Sequence, residues 1–153
     1  MSYNCEVKEQ PAQPVLSIRT RTPVQQLPQV LGEVYGKIGQ YLGERQQPPA
    51  GAPFAAYYNM DIEDLDVEIG FPVATKLAGK DDIQANEIPE GHIASCLHVG
   101  PYNEVGPAYK ALTQYVKEQG FEPTGIAYEF YLNDPMENPP EALQTQVLFT
   151  LKN

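Results

Sequence analysis

An α+β fold made of one strand–helix–strand–strand module used twice is what this 153-residue sequence predicts, and three observations carry it. Residues 30–44 (VLGEVYGKIGQYLGE) lie on 104–118 (EVGPAYKALTQYVKE), so that Gly32, Tyr35, Gln40, Tyr41 and Glu44 meet Gly106, Tyr109, Gln114, Tyr115 and Glu118. The flanks follow in the same order: 15–23 on 93–101 with Ser17 on Ser95, AAYYNMD (55–61) on YEFYLND (128–134), and DVEIGFPV (66–73) on QTQVLFTL (144–151). The units are long, roughly 60 residues each, and there are only two, which fits a duplicated module and not a solenoid. The expectation is a single domain over 1–153, with repeats at about 14–75 and 91–152 joined by a connector at 76–90.

Each element has a local reason. Residues 14–20 (PVLSIRT) are rich in apolar and β-branched side chains and read as a strand. After Pro23, apolar residues at Leu27, Leu31, Val34, Ile38 and Tyr41/Leu42 keep one face of a helix. ERQQPPAGAP (44–53) is a loop by its proline and glycine content. Residues 54–58 and 67–73 read as strands joined through MDIEDLD. The stretch 74–90 has mixed polarity and no strong period, so it reads as connector. The order then repeats: a strand at 93–99 closed by Gly100-Pro101, a helix at 103–119 stopped by Gly120, and strands at 127–132 and 145–151.

Composition narrows the function classes. The chain is 42% hydrophobic and 20% charged, which suits a packed core and not a disordered chain. Twenty acidic against ten basic residues leave a net charge of −10, which repels phosphate backbones and argues against nucleic acid as a direct partner. No apolar run is long enough for a membrane span, and MSYNCEVKEQ has no signal-peptide core, so the expected location is cytoplasmic. A strand pattern beginning by residue 14 leaves no room for a helix-turn-helix ahead of it. Cys5 and Cys96 have no metal-ligand spacing and read as plain thiols; His92 and His98 are isolated. No cofactor or metal is implied. Ten tyrosines, five phenylalanines and no tryptophan are suggestive of cores and aromatic ligand sites alike.

Strand alternation sorts the polar side chains. Val67, Ile69, Phe71 and Val73 share the face expected under the helix of their repeat, leaving Glu68 on the other. In the matching strand Val147, Phe149 and Leu151 face the helix, opposite Gln146, Leu148 and Thr150. Glu129 and Tyr131 share a face, with Ala56 and Tyr58 as their first-repeat counterparts. If the faces turned away from the helices converge on the seam between the repeats, Glu68, Glu129, Gln146, Tyr58 and Tyr131 line it. A carboxylate there either protonates or meets a cation, and tyrosine faces add cation–π attraction of roughly 0.5–2 kcal/mol. The alternative is that each glutamate is an ordinary solvated residue on an open sheet face.

HVGPYNEVGPAYKAL (98–112), YEFYLNDP (128–135), QTQVLFTL and YYNMD…DVEIGFPV, in this order over about residues 5–152, resemble the GyrI-like small-molecule-binding family, the effector domain of multidrug-responsive transcription regulators that also occurs alone. The resemblance implies two strand–helix–strand–strand (SHS2-type) repeats with mostly antiparallel sheets and a ligand cleft between them. It implies a stand-alone binder of lipophilic aromatic, commonly cationic, molecules of drug, dye or toxin type. Carried over, the ligand-binding residues are Glu68, Glu129, Tyr131, Tyr58, Tyr102, Gln146, Leu148 and Ala56. Many relatives have glutamate where this chain has Gln146, which puts the charge role on Glu68 and Glu129. Some relatives hydrolyse reactive cyclopropane-containing molecules, so Glu129, Tyr131 and Glu68 are also the catalytic candidates for a hydrolase alternative. A gyrase-inhibitor-like interaction, with acidic surface mimicking DNA, is the third reading, and a protein partner is left open by the sequence.

Overall fold

The computed structural model describes residues 3–152. In chain order its strands and helices are β1 (Cys5–Gln10), β2 (Gln13–Thr22), α1 (Leu27–Glu44), β3 (Phe54–Tyr57), β4 (Leu65–Pro72), β5 (Gln84–Ile88), β6 (Gly91–Val99), α2 (Gly106–Glu118), β7 (Pro123–Tyr131) and β8 (Gln144–Leu151). The fold is α+β, and the pairings within each unit are antiparallel. Two compact units emerge. The central unit is Ala12–Pro89; the terminal unit combines the residues through Pro11 with those from Glu90 onward.

In the terminal unit the strands run β1-β6-β8-β7. Ala108, Leu112 and Val116 recur every fourth residue along α2, so they form one stripe. That stripe is buried on Ala94 and Cys96 of β6, Ala127 of β7, and Val147, Phe149 and Leu151 of β8. The helix stops where expected. Gly120 has φ +80°, its N–H bonds to Lys117 O at 3.1 Å, and Phe121 N–H bonds to Val116 O at 3.1 Å. This is a Schellman ending, and Phe121 packs back on the core beneath it.

In the central unit the order is β3-β4-β2-β5. Helix α1 buries Leu27, Val34, Ile38, Tyr41 and Leu42, the face its spacing predicts. The Tyr35 ring meets Phe71 edge-on at 5.3 Å, which puts the Val67–Ile69–Phe71 face of β4 toward the helix. Leu16 and Ile18 of β2 lie opposite Phe71 and Ile69 in register and complete that layer.

Two strands lie outside the sequence expectation. Strand β1 precedes the first predicted strand, and β5 falls inside the stretch read as connector. Both are sheet edges with little to bury: β1 turns only Cys5 and Val7 toward the core, and β5 buries only Ile88. A half-wet edge strand with so few apolar residues carries almost no pattern. Their pairing has its own logic. The register that sets Ser17 on Ser95 also sets Pro11 on Pro89 and lays Cys5–Gln10 on 83–88. Yet β1, which leads into β2, pairs with β6, whereas β5, which leads into β6, pairs with β2.

Candidate functional site

Glu68 stands in the middle of β4, between Val67 and Ile69, and therefore faces away from α1 as alternation predicts. It is only 5% exposed. Three donors of its own unit meet its carboxylate: Ser17 Oγ at 2.5 Å, Tyr58 OH at 2.5 Å and Asn86 Nδ2 at 3.0 Å. Gly70 makes the Ser17 contact possible, because a Cβ there would lie 2.1 Å from the Leu16 carbonyl oxygen and 2.9 Å from Ser17 Cβ. Arg19, opposite Glu68 in register, sends its guanidinium to both oxygens of Asp66 at 2.9 and 2.7 Å. That hydrogen-bonded pairing raises the Arg19 pKa and lowers that of Asp66. The same guanidinium lies 3.9 Å over the Tyr58 ring, so one face of that predicted aromatic wall already holds a cation. Ala56, also predicted, lies opposite Glu68 and is fully buried.

Removing the Glu68 acceptor leaves the nearly inaccessible Ser17 hydroxyl with a lost partner. Glu68→Ala is expected to cost about 2 kcal/mol, and Glu68→Gln, which keeps an acceptor oxygen, about half that or less. Urea midpoints of the two variants check this; equal midpoints would show that the donors find other partners.

The second carboxylate, Glu129, sits where alternation alone could not place it. It lies opposite Val147, a residue of the core beneath α2, and so shares the helix face of its sheet. The expectation that it faces away from the helix, as the counterpart of Ala56, is corrected here. Ala56 lies opposite Glu68, whereas the residue opposite Gln146 is Phe130. With Glu68 on Gln146, the register equivalent of Glu129 is Ala55, not Ala56. A one-residue slip transfers a side chain to the other face, and the aromatic residues on both sides of β7 hid it.

On that face Glu129 is partly buried. Tyr109 OH of α2 donates to Oε2 and Tyr131 OH to Oε1, the latter at 3.0 Å. Burial pushes the Glu129 carboxyl above its ordinary range, opposed by those hydrogen bonds and by His98. The Tyr102 ring meets Tyr131 edge-on at 5.2 Å. Burial likewise raises the Tyr102 phenol. Thr145 lies opposite Tyr131, is 1% exposed, and its hydroxyl has no hydrogen-bond partner among the described residues. His98, opposite Thr145, approaches Pro101 O through Nε2 at 3.1 Å and Tyr3 OH through Nδ1 at 3.3 Å. Because a carbonyl only accepts, Nε2 carries a proton, and in the neutral ring Nδ1 then accepts from Tyr3 OH.

Of the predicted residues, the structure brings Glu129, Tyr131 and Tyr102 together in the terminal unit. Gln146 and Leu148 lie on the opposite face of the same sheet, across from Phe130 and Tyr128. Within the central unit, Glu68 meets Tyr58 and lies opposite Ala56. Tyr109, Thr145 and His98 were not foreseen as neighbours of Glu129. Tyr109 did carry a signal, since it matches Tyr35, but Tyr35 OH donates to the Phe54 carbonyl at 2.9 Å. With alanine at 55 there is no carboxylate for it to meet. Two surface hollows, of about 470 Å³ by His92, Gly120, Phe121, Glu122 and Lys152 and about 320 Å³ by Gly39, Leu42, Gly43 and Pro48, touch neither carboxylate.

Residues 3–152 match the family described as the GyrI-like small molecule binding domain. The chain belongs to that family. Comparison with curated proteins finds no match. Among solved structures, this GyrI-like chain superposes on the EcmrR C-terminal domain with TM-score 0.83 at 23% identity, over 100% of this chain and 99% of that one. Against EcmrR in its DNA complex the TM-score is 0.85 at 23% identity, over 100% of this chain but 59% of EcmrR, so the chain spans about three fifths of that protein. A hydrolase from Listeria innocua matches with TM-score 0.67 at 16% identity, over 99% of this chain and 93% of that one. SAV2435, bound to tetraphenylphosphonium, matches with TM-score 0.65 at 10% identity, over 100% of this chain and 95% of that one. At these identities the likeness is one of fold. Among the described residues no helix is long and apolar enough to cross a membrane.

Proposed function

We propose that this GyrI-like chain binds flat, lipophilic small molecules that carry positive charge, and that Glu129, Tyr131 and Tyr102 receive them. The observation that carries the reading is the Glu129 carboxylate, partly buried between two tyrosine hydroxyls and held above its ordinary pKa by burial. Desolvation penalises the charge, and the two hydroxyls offset only part of that penalty. A cation that brings no hydrogen-bond donors supplies what is still missing, and the tyrosine rings add attraction of roughly 0.5–2 kcal/mol. Family membership and the tetraphenylphosphonium complex of SAV2435 support the same ligand class. Glu68, Tyr58, Ala56, Gln146 and Leu148 enter the proposal as supporting residues, with Glu68 already engaged by three donors.

Titration of the protein with tetraphenylphosphonium, followed by calorimetry, tests it. Binding to the wild type is expected, and Glu68→Gln is expected to lower the affinity less than Glu129→Gln. Equal losses would spread the charge role over both carboxylates; no binding to the wild type would overturn the reading.

A hydrolase reading rests on the same group. A carboxyl whose pKa burial raises, with a phenol hydroxyl at 3.0 Å, is suited to general acid–base work on a reactive electrophile. The Listeria innocua neighbour described as a hydrolase lends it support. Product analysis with a cyclopropane-containing substrate separates the two: turnover that vanishes in Glu129→Gln while the substrate still binds would favour catalysis.

A further inference from the structure

We propose that Cys5 and Cys96 form a redox-closable pair, a disulfide site that ties β1 to β6 in the terminal unit. They are the two cysteines of the chain and lie far apart in sequence. The β1–β6 register sets them directly opposite each other. Side chains directly opposite on antiparallel strands have Cβ atoms about 4.5–5.5 Å apart, and a disulfide closes at roughly 3.5–4.5 Å, a gap that a small strand adjustment spans. Both point to the α2 side: Cys96 belongs to the core cluster and Cys5 packs against it. Cys96 Sγ also reaches the Ala108 carbonyl oxygen at 3.6 Å, a contact that closure would give up.

Exposure sets the order of events. Cys96 is 3% exposed, while Cys5 is only partly covered, so a reagent from solution meets Cys5 first. The oxidant is a small-molecule disulfide such as oxidised glutathione. The Cys5 thiolate attacks one of its sulfurs, forming a mixed disulfide and releasing one reduced thiol. The Cys96 thiolate then attacks the Cys5 sulfur and releases the second. Two protein thiols become one disulfide, and the two electrons and both protons end on the two molecules of reduced small thiol. Burial pushes the Cys96 thiol up to about 12, so closure is slow near neutral pH and the reduced form survives brief oxidation.

The consequence follows from topology. The bond would close a loop of about 90 residues that contains the whole central unit, and long loops gain most from closure. It would also secure β1, the edge strand with only Cys5 and Val7 turned to the core.

Equilibrating the purified full chain against a series of oxidised-to-reduced glutathione ratios tests the pair, independently of any small-molecule ligand. Both thiols should disappear together in a monomer whose mass falls by about 2 Da, with the Cys5 peptide linked to the Cys96 peptide. The oxidised protein should melt roughly 10 °C higher than the reduced one. Cys96→Ala should instead retain one glutathione on Cys5. Glutathione adducts without the internal link, disulfide-linked dimers, or two persistent thiols at ratios that oxidise the urea-unfolded chain would each overturn the proposal. So would an oxidised form that melts no higher than the reduced one.

Discussion

Alanine at Gly70 is expected to destabilise the protein by about 3 kcal/mol or more, a fall of roughly 10 °C in melting temperature for a chain of this size. The added methyl would sit 2.1 Å from the Leu16 carbonyl oxygen and 2.9 Å from Ser17 Cα. Two of its three nearest atoms are backbone, so no rotamer change relieves the contact and β2 must move. Moving β2 also disturbs the Ser17 bond to Glu68, so the variant should lose more than one interaction. The same substitution in α1 has the opposite expectation. Gly32, Gly36, Gly39 and Gly43 have nothing within 4 Å of an added Cβ. Alanine at each should stabilise by about 0.5–1 kcal/mol, because glycine is the poorer helix former. Thermal denaturation of Gly70→Ala beside Gly36→Ala checks both signs in one experiment; a Gly70→Ala protein that melts with the wild type would show that β2 adjusts freely.

Glu129→Gln is expected to weaken tetraphenylphosphonium binding about tenfold near neutral pH, a loss of about 1.4 kcal/mol, and to erase its pH dependence. The folded protein holds the Glu129 proton to higher pH than the unfolded chain, whose carboxyl keeps its ordinary value near 4.5. In the window between the ordinary and the raised value the folded state binds more protons. This group's contribution to stability is therefore present below the window and is lost as pH rises through it. Cation binding runs the other way. It needs the carboxylate, so affinity climbs as pH rises through the raised value and falls on the acid side. With glutamine both slopes from this residue disappear. Calorimetric titrations from pH 4 to pH 8 on the two proteins check it: parallel pH profiles would remove Glu129 from the cation site, whereas convergence at the acid end is the expected result.

Much of the frame was legible because its causes are local. The buried stripe Ala108–Leu112–Val116, the stop at Gly120 and the alternation of Val67, Ile69 and Phe71 each follow from periodicity or backbone preference within a dozen residues. The GyrI-like membership rested on motifs distributed along the whole chain, and it is matched over 3–152. Glu68 was placed correctly on the face away from α1, since its neighbours Val67 and Ile69 are unambiguously apolar. Strands β1 and β5 were illegible for the reverse reason: they are edges, their few apolar residues leave no pattern, and their partners lie far away in sequence.

The sequence by itself determined the two helices, the strands that follow them and the presence of two carboxylates among tyrosines. Tertiary structure decided what those carboxylates touch. Glu129 meets Tyr109 because its strand is registered one residue away from the alignment that paired it with Ala56, and side-chain period two turns that single step into a change of face. Tyr35 and Tyr109 align in the two helix sequences, yet one donates to a backbone carbonyl and the other to a carboxylate. The difference is an alanine against a glutamate across the sheet, a contact that only long-range pairing creates. Cys5 and Cys96 became a pair in the same way, through a register between strands that the chain reaches only after crossing the whole central unit.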